Sequence, residues 1–282
     1  MKFAETSKSL LLRTHRFWSR ALPDSYRLYR FEGGLIYLNI KESHKMLERV
    51  LGRYEQAKHQ ALRHFIRPGM TFVDVGCNKG DFCLTASRLV GSSGRVLAFE
   101  PHPENCGWIR KSIAKNGYHN IDLYELALSD SNDTAQLHLG EQSGHHTLLA
   151  GQLRHEQGLI EVQTRILDDL LEETKFCGTI DAIKIDVEGA DIHVLRGAQK
   201  TLLRNHGIVV FLDIHPQLGV DSAEVCAFLR GLGFGLRKEE PPFNLPIDRE
   251  ASLSSLIAIR EGSSLLNPEL TLPSRLLAQA AD

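Results

Sequence analysis

Apolar residues follow two rhythms along this chain. Five short runs are predominantly apolar: Thr71–Val75, Arg95–Phe99, Ile121–Glu125, Ala182–Asp186 and Ile208–Ile214. Runs of that length and continuity predict strands buried on both faces. Stretches at about 80–90, 103–116, 189–204 and 221–231 lie among them and read as helices. Such an alternation predicts an α/β fold, a parallel sheet covered on both sides. The rhythm breaks twice. Between Ser129 and Asp168, "AQLHL" and "IEVQTRIL" alternate like edge strands around the Gly- and His-rich "GEQSGHHTLLAGQ". This predicts an inserted hairpin at about 130–165 with a mobile tip. Further on, "FGLRKEE" and "SLSSLIAIRE" flank a Pro-rich loop and predict a final antiparallel hairpin.

Upstream, "YRLYRFEGGLIYLNI" reads as short strands broken at Gly33-Gly34. Ser43 then marks the N-cap of one helix running to about Ile66, closed by Pro68-Gly69. The organisation expected is an N-terminal extension over 1–66, a main α/β domain over 67–261 and a loose tail over 262–282.

Composition adds exclusions. A chain of 282 residues, 42% hydrophobic and 24% charged, is an ordinary globular chain with room for one large domain. The net charge of −2 gives no reason to expect a nucleic-acid partner. One segment is basic, with Lys8, Arg13, Arg16, Arg20, Arg27 and Arg30 against Asp24 alone. It reads as a solvated helix face before a membrane contact or an anion dock. Cys77, Cys83, Cys106, Cys177 and Cys226 are scattered without a C-x-x-C, so buried reduced thiols are expected. No signal peptide and no apolar run of bilayer length are seen, and the expected setting is cytoplasmic. Homo-oligomerisation is left open.

The chemistry starts at "FVDVGCNKGDF", a strand running into a glycine turn. Gly76 and Gly80 let the backbone approach a ligand, and the next helix points its N-terminus there. The second strand ends at Glu100, where a carboxylate can accept bonds from two ribose hydroxyls. An adenosine-containing cofactor is the leading class. A dinucleotide site favours G-x-G-x-x-G with little negative charge nearby. Here Asn78 stands in the middle and Asp74 beside the turn. S-adenosylmethionine has no phosphate; its sulfonium and ammonium suit Asp74 and Glu100. The plain alternative is a helix cap in a tight turn. A nicotinamide-dependent oxidoreductase and a catalytically silent binding module of the same fold are the other classes weighed.

A second constellation lies in "IDAIKIDVEGADIHVLRGA", where Lys184, Asp186, Glu188 and Asp191 cluster about one strand end. The helix dipole alone favours acids in a first turn. The next strand ends in "LDIHP", however, which places His215 at the same sheet edge as Asp186. In the inserted hairpin, His145 and His146 are either pocket-lining or tip residues. Tyr54 and Glu55 either pack over the cofactor site or lie on an exposed helix face.

The stretches "PGMTFVDVGCNKGDF", "VLAFEPHPEN", "LALSD", "RILDDLL", "IKIDVEGAD" and "FLDIHP" resemble, in that order, the FkbM-type S-adenosylmethionine-dependent methyltransferases. The resemblance runs over about Arg67–Arg260, with weaker likeness at "GGLIYLNI" and "GRYE". It implies a Rossmann-like class I methyltransferase fold, with a seven-stranded, mostly parallel sheet whose last strand is antiparallel. It implies O-methylation of a hydroxyl on a small molecule, sugar or natural-product intermediate. Onto this chain it carries Asp74, Gly76, Cys77, Asn78, Gly80, Glu100, Pro101, Ala127, Leu128, Ser129 and Asp186 as cofactor-binding residues. Cys77 replaces a small residue and Asp191 a common Glu. Methylating an alcohol calls for a base, and His215 or Asp186 is the candidate, with Glu188 in support. A divalent metal such as magnesium at Asp186, Asp191 and His215 is the variant. The basic segment and the inserted hairpin are expected to select the acceptor rather than hold the cofactor.

Overall fold

The computed structural model describes residues 24–153, 155–247 and 253–263. Lys8, Arg13, Arg16, Arg20 and the tail beyond Ser263 lie outside the described residues. The described chain opens with a hairpin, β1 (Arg27–Phe31) and β2 (Gly34–Leu38), turned at the Gly33-Gly34 break. Two helices follow, α1 (His44–Val50) and α2 (Gln56–Phe65), where the sequence predicts one. The break falls at Leu51–Glu55, and Glu55 takes a left-handed backbone, φ 43°, that a helix cannot contain. Ser43 holds the N-cap position, but its hydroxyl makes no capping bond.

The main domain then runs β3 (Thr71–Val75), α3 (Asp81–Val90), β4 (Arg95–Phe99), α4 (Pro103–Asn116) and β5 (Ile121–Tyr124). The inserted region is β6 (Ala127–Leu128), β7 (Asp133–Leu139) and β8 (Gly158–Arg165). After α5 (Leu167–Glu173) come β9 (Ala182–Ile185), α6 (Asp191–Gly197), α7 (Gln199–Arg204) and β10 (Val209–Asp213). The chain closes with α8 (Ser222–Gly231), β11 (Phe234–Arg237) and β12 (Ser255–Arg260).

Seven strands form the central sheet in the order β11-β12-β10-β9-β3-β4-β5. The five strands from β10 to β5 are parallel, and β12 is antiparallel to both its neighbours. The chain winds outward from β3 to β5, then returns to β9 on β3's other side. The switch point therefore lies between β3 and β9, where an open α/β sheet leaves a crevice at its carboxyl edge. Alternate residues of each strand feed two cores. Val73, Leu97, Ile183 and Val210 pack beneath α5 to α8; Phe72, Val96, Ala182 and Phe211 pack beneath α2, α3 and the β2 residues Ile36 and Leu38. The described part of the N-terminal extension, from Asp24 on, thus shares the main domain's core.

Three further corrections concern local elements. The predicted helix at 189–204 is split into α6 and α7 at Ala198. Helix α5, too short to show a period, was not foreseen; its Asp168 accepts the Lys200 and Thr201 amides that start α7. Cys177 is exposed, while the other four cysteines are buried. In the insertion β7 and β8 pair antiparallel, as predicted, and β6 adds a parallel edge. The connection between β7 and β8 folds back over the sheet's carboxyl edge, hydrogen-bonded at both ends. Among the described residues no helix is long and apolar enough to cross a membrane.

Candidate active site

The turn after β3 is built around a contact between backbones. Gly76 has φ +78°, and a Cβ there would lie 2.0 Å from the carbonyl oxygen of Asp186 after β9. Only glycine lets the two turns flanking the switch point meet. The Gly76 and Cys77 amides donate to the Phe99 carbonyl at 2.9 and 3.0 Å. Beside them Glu100 is held by three donors: the Asn78 amide at 2.7 Å, the His102 amide at 3.0 Å and Asn105 Nδ2 at 3.2 Å. Burial still pushes its carboxyl up to about 7, against those hydrogen bonds.

These turns form one end of a cavity of about 1100 Å³, its open mouth included. Gly76, Asn78, Glu100, Pro101, Ala127, Leu128, Asp186, Glu188 and His215 all line it. Asp74, Cys77, Gly80 and Ser129 are not in its lining. Asp74 lies beneath the turn, fully buried, 4.0 Å from Lys184 Nζ. Burial raises its carboxyl to about 7 despite that lysine. Cys77 is buried, Gly80 is the N-cap of α3, and the Ser129 carbonyl lies against Gly197 of α6.

The other end of the cavity is a histidine among carboxylates. His215 Nε2 lies 3.5 Å from Asp186 Oδ1 and 3.7 Å from Glu188 Oε2, while Nδ1 lies 3.5 Å from Asp191 Oδ2. Burial opposes a charge on this ring, but the bond to Asp191 and the Glu188 and Asp186 carboxylates outweigh it and raise His215 to about 9. Glu188 is pushed up to about 7, by burial first, against the pull of His215. Burial also opposes the Asp186 charge, yet Lys184, Lys58 and His215 hold that carboxyl well below its ordinary value. This arrangement corrects the predicted metal set. Asp186, Glu188 and His215 offer ligand atoms within 4.8 Å of one another, whereas Asp191 grips the other ring nitrogen.

Helices α1 and α2 supply a wall that sequence reasoning missed in part. Tyr54 and Glu55 line the cavity, and so do Lys45, Arg49 and Lys58. Lys58 Nζ lies 2.6 Å from Asp213 and 3.2 Å from Glu55. Glu55, Asp186 and Asp213 crowd within 4.8 Å of one another. Burial and then the Asp186 charge push Asp213 up to about 8 despite Lys58. Asp213 was legible in principle, because in an extended run it sits two residues before His215. Lys58 carried no signal beyond a charge on a helix. Lys79 was also missed: buried in the β3 turn, its ammonium bonds Tyr26 Oη at 2.6 Å, Asn105 Oδ1 at 2.9 Å and Glu42 at 3.2 Å.

The inserted hairpin reaches the glycine turn after β3. A Cβ on Gly144 would lie 3.1 Å from Asn78 Nδ2. His146 lines the cavity with its ring 4.7 Å from that of His102, and burial lowers it to about 4. His145 is not in the lining. The two histidines lie in a 3-10 turn and the residue after it, not on a strand.

Residues 74–236 match the Methyltransferase FkbM domain family. Among curated proteins, the chain is 28% identical over 156 residues to 2-O-methyltransferase NoeI of Sinorhizobium fredii, covering 50% of this chain and 63% of that protein. It is 26% identical over 194 residues to Methyltransferase 1 of Beauveria bassiana, covering 62% of this chain and 76% of the relative. Among solved structures, the methyltransferase FkbM of Methylobacillus flagellatus aligns at 12% identity with a TM-score of 0.46, over 89% of this chain and 59% of that one.

Proposed function

The chain belongs to the FkbM methyltransferase family, and from that premise we propose that it moves a methyl group from S-adenosylmethionine to a hydroxyl oxygen of a small molecule. Its fold is the Rossmann-like one of class I methyltransferases. The cavity suits the cofactor. Glu100 is oriented by three donors, and a Cβ at Gly76 would collide with the facing turn. Asn78 Oδ1, in the cavity lining, is buried without a hydrogen-bond partner among the described residues. Gly76, Asn78, Glu100, Pro101, Ala127 and Leu128 would hold it, with Asp74, Cys77, Gly80 and Ser129 supporting their turns. When bound, it supplies an electrophilic methyl carried on a sulfonium.

The observation that carries the acceptor side is His215, held at one nitrogen by Asp191 with the other nitrogen beside Asp186 and Glu188. In its neutral form, Nδ1–H donates to Asp191 and the Nε2 lone pair accepts the proton of the acceptor hydroxyl. Asp191 fixes this tautomer, and the surrounding carboxylates stabilise the imidazolium that forms. Such a base is worth roughly 10²–10⁴-fold in rate. A divalent cation such as magnesium at Asp186, Glu188 and His215 is a second reading, favoured by the 4.8 Å clustering of their ligand atoms.

The test is to incubate lysate metabolites with the protein and methyl-labelled cofactor, then search for labelled products by mass spectrometry. A compound labelled as a methyl ether, made by wild type and not by His215→Ala, is the expected result. Chelator-insensitive activity excludes the cation. No labelled product from any fraction, or a product methylated at nitrogen or carbon, overturns the O-methylation reading.

A further inference from the structure

The connection between β7 and β8 forms a strap whose two ends are tied to opposite halves of the cavity. At the cofactor end the Ser143 amide donates to Glu42 Oε1 at 3.0 Å. Glu42 in turn pairs with Lys79 of the β3 turn. At the other end Thr147 is paired through its backbone with His138 of β7, at 2.8 and 3.0 Å. Its hydroxyl, almost fully buried, donates to the Glu188 carbonyl at 2.6 Å. Glu188 is a non-glycine residue with φ +50°, a conformation held only where neighbours impose it. The following Gly189, φ +104°, fits beneath the strap; a Cβ there would lie 2.7 Å from Leu149 Cδ1.

We propose that Thr147 is a positioning residue for the transfer reaction: its hydroxyl holds the Glu188 backbone in its left-handed turn, so that closure of the strap sets the Glu188 carboxylate against His215. This rests on the methyl-transfer reading only for what the positioned turn then does. Thr147 touches no reacting atom. Its backbone belongs to β7's ladder and its hydroxyl to the β9 turn, so the strap and the turn move as one. A ligand seated on Asn78 and Glu100 also lies under Ser143 and Gly144, and through them its presence is transmitted to Glu188.

The experiment compares wild type, Thr147→Val and Thr147→Ser by hydrogen exchange, with and without S-adenosylhomocysteine, alongside calorimetric affinity for that ligand. In wild type the ligand slows exchange in the strap, 142–149, and at the amides of Gly189, Ala190 and Asp191 together. In Thr147→Val the affinity stays within about threefold and the strap is still protected. The three turn amides then exchange at least about tenfold faster than in wild type, and Thr147→Ser restores them. Turn amides unchanged in Thr147→Val overturn the proposal. So does a uniform loss of protection across the domain that serine fails to rescue, because that marks a merely structural residue. If the wild-type protein does not bind S-adenosylhomocysteine, the methyl-transfer reading falls. The ligand-free exchange of the three proteins still decides the role of Thr147, and equal rates at the three amides refute it.

Discussion

The bond to Asp191 and the Glu188 and Asp186 carboxylates raise His215 to about 9 against its burial, and its role as a base therefore has a definite pH signature. With its value raised to about 9, the neutral fraction grows about tenfold per unit between pH 6 and 8, reaches about one half at pH 9 and levels off only above it. Turnover at saturating cofactor should rise along that curve. His215→Ala should lose roughly 10²–10⁴-fold in turnover, and the slope with it, while cofactor binding survives. A flat wild-type profile from pH 6 to 9 would remove the base. If the proposed cofactor site is right, Glu100→Ala should weaken S-adenosylhomocysteine binding at least tenfold, because a charged hydrogen bond is worth about 1.5–3 kcal/mol. Unchanged affinity by calorimetry takes Glu100 out of the site. Glu100, Asp186 and His215 were legible because each stands at or just beyond the end of an apolar strand. Lys58 and Lys79 were not, because what distinguishes them is the carboxylates they meet from distant elements, Asp213 and Glu42.

At the scale of elements, buried parallel strands announce themselves by continuous apolar runs, and those of the central sheet appear within a residue or two of their predicted bounds. Helices of seven residues or fewer carry too little period to read, which hides α5 and the division of α6 from α7. The break at Leu51–Glu55 was hidden for another reason. Glu55 takes a left-handed backbone that its identity does not favour, and Lys58 supplies the ion pair that meets its carboxylate. The meeting of the β3 and β9 turns is the element-level feature most exposed to mutation. Gly76→Ala adds a carbon 2.0 Å from a backbone oxygen, at a φ that alanine disfavours. Strain of this kind costs about 1–3 kcal/mol before the collision is counted. Since 1 kcal/mol shifts Tm by about 2–4 °C in a domain of this size, calorimetry should show a fall of several degrees. Cofactor affinity should fall with it. A variant with wild-type Tm would mean that the turns part without penalty and that their contact is incidental.

At the scale of the whole molecule, many of the ionisable groups buried among the described residues lie along the carboxyl edge of one sheet, a fact that a net charge of −2 conceals. Folding raises His215 to about 9, Asp213 to about 8, and Asp74, Glu100 and Glu188 to about 7. Each of these binds its proton more tightly folded than unfolded, so each makes stability fall as pH rises between its ordinary and its raised value. For His215 the contribution is complete below about pH 6.5 and is lost as pH rises through 9. For Asp74, Glu100 and Glu188 most of the loss is over by pH 7, and Asp213 extends it to 8. His59, His64, His102, His145 and His146 act in the opposite sense, because burial lowers them; their gain is nearly complete once pH passes the ordinary histidine value of about 6.5. Between pH 7 and 9 the first group therefore dominates. Thermal unfolding without cofactor should show a lower Tm at pH 9 than at pH 7, and His215→Ala should flatten the difference. A Tm that holds steady or rises over that interval would mean that the carboxylates do not hold His215 charged, and the pH-activity prediction would fall with it.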